Sequence, residues 1–515
     1  MNLKISDFAK IDILIPIILF ISIFIIYIKF LAPSILEGDS AELPIVSYLL
    51  GIPHPNGYPI YTWIGHIFTM IPLGTIAQRV NAMSAFFGAL TVSLVYFISF
   101  KLCILNKNLF TDNKKSDTRS DLNIYRLIAV IVALTLAFSI TFWSQAEIAE
   151  VYALNAFFVV LMILILIKWS ENRDIKYLYI FFIIYGLSIG AHLSNILFMP
   201  AFLLFIALTN YKVFLNHKNS IIFISLFILG LLQFLYILIR ASQHPVFGET
   251  PQNVYDWWIL ITAQKFSNYF VVSLPNIPKN ILMYLGFLKD NFTYMGLILG
   301  IIGIISLLKN NTRLLVLLSL MFISNVLFYI NYYVNDFEVM FIPSFIIFSI
   351  FICIGILTAF ELIKTVLNEY KKEISPKNIQ INALTLFIVF IILSSLWIPL
   401  NSYLINNSQI QDINNDNFAN FTYTALNEVP SNSTIITYWK SYAAFKYFQI
   451  VDNVNPNVTI VQVEEKDLIN TTDQKIDNGN VFVFHDTDNL NEVYHLAPFL
   501  SFPDIGTMYK VENVY

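Results

Sequence analysis

Charge, cysteine and nucleotide-binding motifs are all scarce in this sequence, and each shortage excludes a class of protein. Only 12% of the 515 residues are charged, against roughly 25% in soluble domains. The Walker A, HExxH, CxxC and GxGxxG motifs are absent, so nucleotide-driven transport and zinc proteolysis lose support. No basic stripe indicates a nucleic-acid partner. The two cysteines, Cys103 and Cys353, lie in or beside apolar runs and are predicted to pack rather than to form a disulfide or a metal site.

Apolar residues dominate instead. They make up 57% of the chain, and apolar runs of 18 or more residues repeat through the first 400 positions, the pattern of a multi-spanning helical membrane protein. No small-residue cleavage site follows the first run, so we expect it to be retained. The predicted spans are 12–32, 82–101, 126–143, 152–168, 177–191, 196–210, 220–239, 281–308, 314–331, 339–363 and 380–400.

The basic residues predict the orientation of these spans, because lysine and arginine are enriched in cytoplasmic loops. With the N-terminus inside, 19 of the 30 basic residues lie in inner segments and six lie on the outer side. The topology is therefore predicted to be N-in and C-out. Four polar segments then face away from the cytoplasm: the loop at 33–81, the turn at 143–152, the stretch after Arg240, and the stretch around Asp336.

The C-terminal region, residues 401–515, differs in composition from the transmembrane domain predicted for residues 1–400. It carries 14 Asp and Glu residues against five Lys residues and no Arg. Segments 433–438, 457–463 and 480–484 are typical of short buried strands, and 441–451 is typical of a helix between the first two. We therefore predict an all-α polytopic membrane protein with a small extracytoplasmic α/β domain.

The first outer loop is the predicted active site. It begins with Glu37, Asp39 and Glu42, and the three-residue spacing of the last two would place both carboxylates on one face if the segment is helical. A carboxylate just outside the bilayer can act as a general base, because a dry boundary raises a carboxyl pKa towards the working pH. The alternative is that Asp39 only caps the helix that follows.

A rigid turn follows in the same loop. Three prolines and two glycines between positions 51 and 59 predict an extended, turn-rich path. Such a turn could hold His54 and Tyr58 over a substrate site, or could be only a structural corner. The apolar and aromatic segment 60–71 suits a helix at the membrane interface, and the loop ends at Arg79.

Four further residues are candidates on the outer side. Glu147 and Glu150 repeat the three-residue spacing, and acids at a membrane boundary are costly and usually functional, although neighbouring helix ends could also satisfy them. His192 lies at a predicted helix break, where a hydrogen-bonded packing role is the alternative to substrate binding. Arg240 ends a span on the outer side, where it could hold a lipid phosphate or simply reach the lipid headgroups.

These stretches resemble a known family. The sequence GDSAELPIVSYLLGIPHPNGYPIYTWIGHIF, followed in order by FWSQAEIAEVYALNA, GLSIGAHLSNILFMP and the IRA segment from Ile239, is similar to the transmembrane protein 260 type of protein O-mannosyltransferase in the GT-C superfamily. The similarity covers about the first 260 residues. One departure is Asn56, where the family usually has a second proline.

The resemblance implies a GT-C fold and a polyprenyl- or dolichyl-phosphate sugar as the donor. It also implies that an acidic residue of the first outer loop, here Asp39, is the catalytic base. Arg240, with His192 or Arg79, would hold the leaving phosphate, and Glu42, Glu147 and Glu150 would position hydroxyl groups. A divalent metal is compatible with these acids but not required. The acceptor would be a hydroxyl of a protein or glycan, reached at the outer face of the membrane by inverting displacement.

Two other functions compete with this hypothesis. A transporter would also place acids and an arginine near broken helices, but it predicts internal repeats, and none is evident between the two halves of the chain. A membrane anchor that presents the C-terminal domain to a partner would leave the charged outer loops without a role. Turnover of a polyprenyl-phosphate sugar separates these functions.

Overall fold

The computed structural model describes residues 10–106, 119–334, 337–373, 379–413, 415–477, 479–485 and 487–512. Asp336, in the fourth predicted outer segment, lies outside these ranges. So do the inner basic residues between 107 and 115 and at 377.

Helices form most of the described chain up to residue 413. Helices α1–α17 are Lys10–Phe30, Asp39–Leu49, Pro59–Thr69, Ile76–Leu105, Arg119–Ala137, Ile140–Gln145, Tyr152–Asn172, Lys176–Ala191, Met199–Asn210, Lys212–Leu215, His217–Leu231, Leu235–Ala241, Val254–Ile261, Ile277–Asn310, Thr312–Tyr329, Ile342–Glu373 and Ile379–Ile413. Short 3-10 helices are Leu193–Phe198, Leu232–Phe234, Gln264–Tyr269, Leu274–Asn276 and Phe337–Phe341.

The helices agree with the predicted spans. Within the described residues, eight helical stretches are long and apolar enough to cross a membrane. Helix α8 is shorter, at 16 residues, and α17 occupies the position of the eleventh predicted span. The third predicted span, 126–143, is wrong at its C-terminal end, because α5 ends at Ala137 and α6 begins at Ile140. The predicted fold class, a multi-pass helical membrane protein, is confirmed.

Small residues let the helices approach one another closely, as in other membrane helix pairs. Helices α14 and α16 meet at Gly303 and Gly355, where an added Cβ would lie 1.9 Å from the Phe351 and Leu299 carbonyl oxygens, respectively. Around this contact, buried Ile, Leu, Phe and Val residues of most of the long helices form one continuous core. The bundle is thus a rigid frame for the loops at its ends.

The C-terminal domain is a five-stranded sheet with helices against it. Its helices α18–α21 are Asn417–Glu428, Trp439–Ile450, Leu468–Ile476 and Asp488–Asn491, and its strands β1–β5 are Thr434–Thr437, Thr459–Gln462, Val481–Phe484, His495–Phe502 and Gly506–Glu512. The strand order is β2-β1-β3-β5-β4, with β1 parallel to β2 and β3 and with β5 antiparallel to β3 and β4. The three predicted strands and the helix between the first two are present. The β4–β5 hairpin was not predicted, because Pro498 and a bulge beside it interrupt the alternating pattern of β4.

This domain packs directly on the first outer loop. Buried residues of α18 and α19, including Phe421 and Phe445, share one apolar cluster with Ile35, Ala41 and Met83. The Tyr447 hydroxyl accepts a hydrogen bond from the Ala77 backbone N–H at 3.0 Å. Loop and domain therefore form one unit at the same end of the helix bundle.

Candidate active site

Helix α2 begins at Asp39, and its first turn carries both acidic residues of the predicted site. Gly38, which precedes it, has φ 70° and ψ −127°, a backbone conformation that glycine adopts without the cost a side chain would add. Asp39 and Glu42 lie one helical turn apart, as the spacing predicts. Their exposure differs: the Asp39 side chain is 36% exposed and the Glu42 side chain 3%.

The proline-rich turn brings His54 between these two carboxylates. The His54 backbone N–H donates to Glu42 Oε1 at 3.0 Å, and its ring Nδ1 lies 2.5 Å from Glu42 Oε2. The other ring nitrogen, Nε2, lies 3.6 Å from Asp39 Oδ2. The imidazole therefore bridges the two acids, with Glu42 as its main anchor and Asp39 as the more open partner.

Charge in this cluster is set by competition between burial and the carboxylates. Burial lowers the pKa of His54, but Asp39 and Glu42 outweigh that effect and raise it to about 10. Burial raises the pKa of Glu42, although the His54 charge opposes that shift. At neutral pH the shared proton therefore resides on His54. The base was expected to be a carboxyl in a dry environment. Of the two carboxyls, Glu42 is the buried one, whereas Asp39 is partly exposed.

The side chains of Asp39, Glu42 and His54 could also hold a divalent cation. One ligand atom from each lies within 4.8 Å of the others. Ligation requires a neutral imidazole, however, because a ring nitrogen that carries a proton cannot bind a metal. A cation bound by Nε2 beside Asp39 would displace the proton of that nitrogen, while Nδ1 could still donate its hydrogen to Glu42. Without a metal, the three side chains already contact one another, because His54 lies against both carboxylates.

Tyr58 forms the next part of the site. It has φ 32° and precedes α3, with Pro59 as the first helical residue. Its ring lies against the His54 ring, with the centroids 5.2 Å apart. Burial, together with the negative charge of Asp39, raises the pKa of Tyr58 well above its usual value. Tyr58 is thus a neutral hydroxyl beside the acid–histidine cluster.

A cavity of about 1190 Å³ opens in front of this cluster. The first outer loop contributes Asp39, His54 and Tyr58 to its wall, and the C-terminal domain contributes Trp439 and Lys440. The 3-10 helix Gln264–Tyr269, the end of α15 and the α8–α9 junction complete the lining. The cavity therefore lies between the bundle and the C-terminal domain, with the most exposed carboxylate of the cluster at its wall.

His192 lies in this cavity at the junction between α8 and the following 3-10 helix. Its Nδ1 accepts a hydrogen bond from the Ser194 backbone N–H at 3.3 Å and lies 2.7 Å from the Ser194 hydroxyl. Burial and the nearby His54 charge lower the pKa of His192 to about 4. The ring is thus neutral, and its hydrogen is on Nε2.

The two arginines predicted to hold phosphate do not line the cavity. Arg240 donates to the Leu50 and Leu49 carbonyl oxygens, each at 2.7 Å, and to Gln243 Oε1 at 2.6 Å. It therefore satisfies carbonyl groups at the end of α2. Arg79 donates to the carbonyl oxygens of Thr69, Leu73 and Gly74 at 2.7–3.2 Å. Both guanidinium groups brace the backbone of the first outer loop.

Glu147 and Glu150 have separate environments. Glu147 is fully buried and accepts a hydrogen bond from the Trp143 indole N–H. Glu150 accepts a hydrogen bond from the Val151 backbone N–H at 3.3 Å, and its charge acts on His54, Tyr58 and Tyr152. Neither lines the cavity, although Val151 and Tyr152 do. Glu147 belongs to the core, and Glu150 contributes charge from just behind the wall.

Several cavity residues were not identified from the sequence. Trp439, Lys440 and Tyr442 come from the start of α19, and Lys265 comes from the segment after α13. The tail shows only a strand–helix–strand pattern, and nothing in that pattern indicates which helix end contacts a loop some 400 positions earlier. Trp439 and Lys440 directly precede the helix predicted at 441–451, and an aromatic residue beside a cation at that position was the signal that could have drawn attention to them.

Comparison with known proteins matches the same part of the chain. Residues 39–215 match a family model described as the Protein O-mannosyl-transferase TMEM260 N-terminal domain. This range starts at Asp39 and includes His54, Tyr58 and His192. The predicted resemblance to this family is confirmed.

Relatives of TMEM260 type are found in a mammal and in an amoeba. The mouse Protein O-mannosyl-transferase TMEM260 is 29% identical over 158 residues, which are 30% of this chain and 20% of the mouse protein. The Dictyostelium discoideum protein of the same name is 27% identical over 360 residues, 62% of this chain and 40% of that protein. The matches thus span less than half of either relative.

Solved structures show the same fold. ArnT from Cupriavidus metallidurans bound to undecaprenyl phosphate superposes with a TM-score of 0.57 at 10% identity and covers 97% of this chain and 98% of its own. The apo form of that protein gives 0.56 at 9% identity, with the same coverage. The chain therefore has a GT-C-like fold, with the TMEM260-type segment as its N-terminal part.

Proposed function

We propose that this protein is a GT-C glycosyltransferase that moves one sugar, mannose or another hexose, from a polyprenyl-phosphate donor to a hydroxyl acceptor. The arrangement of Asp39, Glu42 and His54 at the wall of a large cavity carries the proposal. It supplies an exposed carboxylate held by a cationic histidine. The fold of ArnT, solved with undecaprenyl phosphate, supports a lipid-linked donor, and the names of the TMEM260 relatives support a protein hydroxyl as acceptor.

Asp39 is the proposed general base. One oxygen, Oδ2, faces His54 at 3.6 Å, and the side chain is exposed enough for the other to meet an acceptor hydroxyl. As Asp39 takes the hydroxyl proton, the acceptor oxygen attacks the anomeric carbon from the face opposite the phosphate. The bond between that carbon and the phosphate oxygen breaks, and its electron pair leaves with the polyprenyl phosphate. Configuration at the anomeric carbon is inverted.

Glu42 and His54 would act as positioning residues. Glu42 contacts both the backbone N–H and the ring Nδ1 of His54. These two contacts fix the orientation of the imidazole, and its charge therefore faces Asp39. That charge attracts the Asp39 carboxylate, whose Oδ2 lies 3.6 Å from His54 Nε2, and so orients it at the wall of the cavity. Tyr58 and neutral His192 offer hydroxyl and N–H groups for sugar hydroxyls. A metal is not needed for any of these steps.

The reaction would take place on the outer face of the membrane. The excess of basic residues in the predicted inner segments supports an N-in orientation. The cavity is lined by Tyr152 and Tyr329, which lie at the opposite ends of α7 and α15 from the basic residues Lys168 and Arg313. In a microbial cell that face would be the outside of the plasma membrane.

Transfer of label from radiolabelled mannosyl- and glucosyl-phosphopolyprenol tests the proposal. Purified wild type and Asp39→Asn would be compared with membrane extract as acceptor. Asp290→Asn is the matched control, because Asp290 pairs with Lys289 on the bundle surface away from this cavity. Wild type and the control should transfer label, and a folded Asp39→Asn protein should not.

Two outcomes would contradict parts of this proposal. Transfer that survives Asp39→Asn would show that another residue is the base, with Glu42 the next candidate. Absence of transfer from both donors, together with absence of donor binding, would favour a transporter.

A further inference from the structure

Few cationic side chains line the cavity, although the proposed reaction releases a phosphate there. Apart from neutral His192, its cationic lining residues are His54, Lys265 and Lys440. His54 is matched by Asp39 and Glu42. Lys265 Nζ lies 3.0 Å from both carboxylate oxygens of Glu249. A phosphate would have to compete with a carboxylate for either of them.

Lys440 is the exception. Its ammonium group forms no hydrogen bond or ion pair with any residue that the structure describes. It lies in the first turn of α19, a 12-residue helix, whose N-terminal end carries partial positive charge. Lysine contributes a compact, mobile point charge with three donors, which suits a phosphate whose oxygens move during a reaction.

The backbone places this lysine beside the proposed base. The Lys440 carbonyl oxygen accepts a hydrogen bond from the Gly38 N–H at 3.2 Å, and Gly38 directly precedes Asp39. The neighbouring Tyr438 hydroxyl donates to Glu37 Oε1 at 2.6 Å. These two hydrogen bonds join the C-terminal domain to the first outer loop. Lys440 lies on the domain side of this contact, and Asp39 follows Gly38 on the loop side.

We propose that Lys440 binds the phosphate of the polyprenyl-phosphate group, so that the C-terminal domain completes the donor site. This inference rests on the proposed function. When the bond to the anomeric carbon breaks, the phosphate gains negative charge, and a nearby cation stabilises that charge more than it stabilises the intact donor. Lys440 lies outside the part of the chain matched by the family model, so motif comparison does not identify it.

Binding of undecaprenyl phosphate to the full-length protein in nanodiscs tests this role without any need to know the sugar. Undecaprenol, which lacks the phosphate, measures the contribution of the lipid tail. Lys440→Met should weaken undecaprenyl phosphate binding about tenfold or more and leave undecaprenol binding unchanged. Lys440→Arg keeps the charge and should stay within about threefold of wild type.

The matched control is Lys446→Met on the same helix. Lys446 hydrogen-bonds to Gln449 and does not line the cavity, so its loss should not change the affinity. Retained thermal stability of Lys440→Met, together with rescue by arginine, excludes unfolding as the cause of a loss.

The outcomes separate this inference from the proposed function. If wild type prefers undecaprenyl phosphate to undecaprenol and Lys440→Met keeps that preference, the Lys440 role is wrong and the donor class stands. If wild type shows no preference, both are wrong. If inorganic phosphate alone binds as tightly and depends equally on Lys440, the site takes free phosphate rather than a lipid-linked donor.

Discussion

Two pairs of acids with the same spacing have different roles in this protein. Asp39 and Glu42 lie in the first turn of α2 and converge on one histidine at the cavity wall. Glu147 and Glu150 follow the end of α6 at Gln145, and they separate into a core hydrogen bond and a position behind the wall. A three-residue spacing brings carboxylates together only where a helix continues through both positions.

The largest difference between the pairs should appear in catalysis. Asp39→Asn is expected to lower the rate of sugar transfer by about 10²–10⁴-fold, the range that general bases contribute. Glu150→Gln should retain most of the activity, because the Glu150 side chain does not line the cavity. Single-turnover transfer rates for both variants measure this. Equal losses would mean that both pairs belong to the catalytic machinery.

A pH series should show whether the His54 charge, held between Asp39 and Glu42, stabilises the first outer loop. The pKa of His54 is raised in the folded protein, to about 10, so its proton stabilises the loop. That stabilisation is complete below about pH 6.5, the ordinary histidine value, and is lost as the pH rises through about 10. The melting-temperature difference between wild type and His54→Gln should shrink over that window. A pH-independent difference would show that the His54 charge has no part in holding the loop.

Glu147 should affect stability rather than catalysis. Glu147→Leu removes the acceptor of the Trp143 indole N–H, and a buried unsatisfied donor costs about 1–3 kcal/mol. Glu147→Gln retains an acceptor oxygen and serves as the control. Thermal unfolding combined with activity per folded molecule measures both effects. Loss of activity in a stable Glu147→Leu protein would show that Glu147 has a role in the active site.

Substitution of Arg240 should have a smaller effect than substitution of Asp39, His54 or Glu147. Its guanidinium satisfies carbonyls at the end of α2 and is only partly buried, so Arg240→Gln should cost about 1 kcal/mol of stability. Affinity for undecaprenyl phosphate should not change. A large fall in that affinity would show that Arg240 binds phosphate, as the sequence first suggested, and would weaken the case for Lys440.

Local patterns predicted a large part of the fold. Among the described residues, eight of the eleven predicted spans coincide with helical stretches long and apolar enough to cross a membrane. These and three of the five strands follow from hydropathy and periodicity, since neighbouring residues determine these features. The convergence of Asp39, Glu42 and His54 was accessible because all three lie within 16 positions. The roles of Arg79 and Arg240 were not, because a guanidinium serves phosphate and backbone carbonyls equally well, and only the packing decides which is within reach.

The sequence by itself determined which segments are apolar enough to enter the membrane, and that Asp39 and Glu42 would share one face of any helix formed there. Apolar runs and helix spacing are properties of short stretches, so they can be identified before anything folds. Only the tertiary structure decided that the C-terminal domain sits on the first outer loop and that Lys440 lies beside Asp39. That contact joins positions roughly 370–400 residues apart through an apolar surface and three hydrogen bonds. No local pattern specifies it, because its stability comes from the fit between two already folded surfaces.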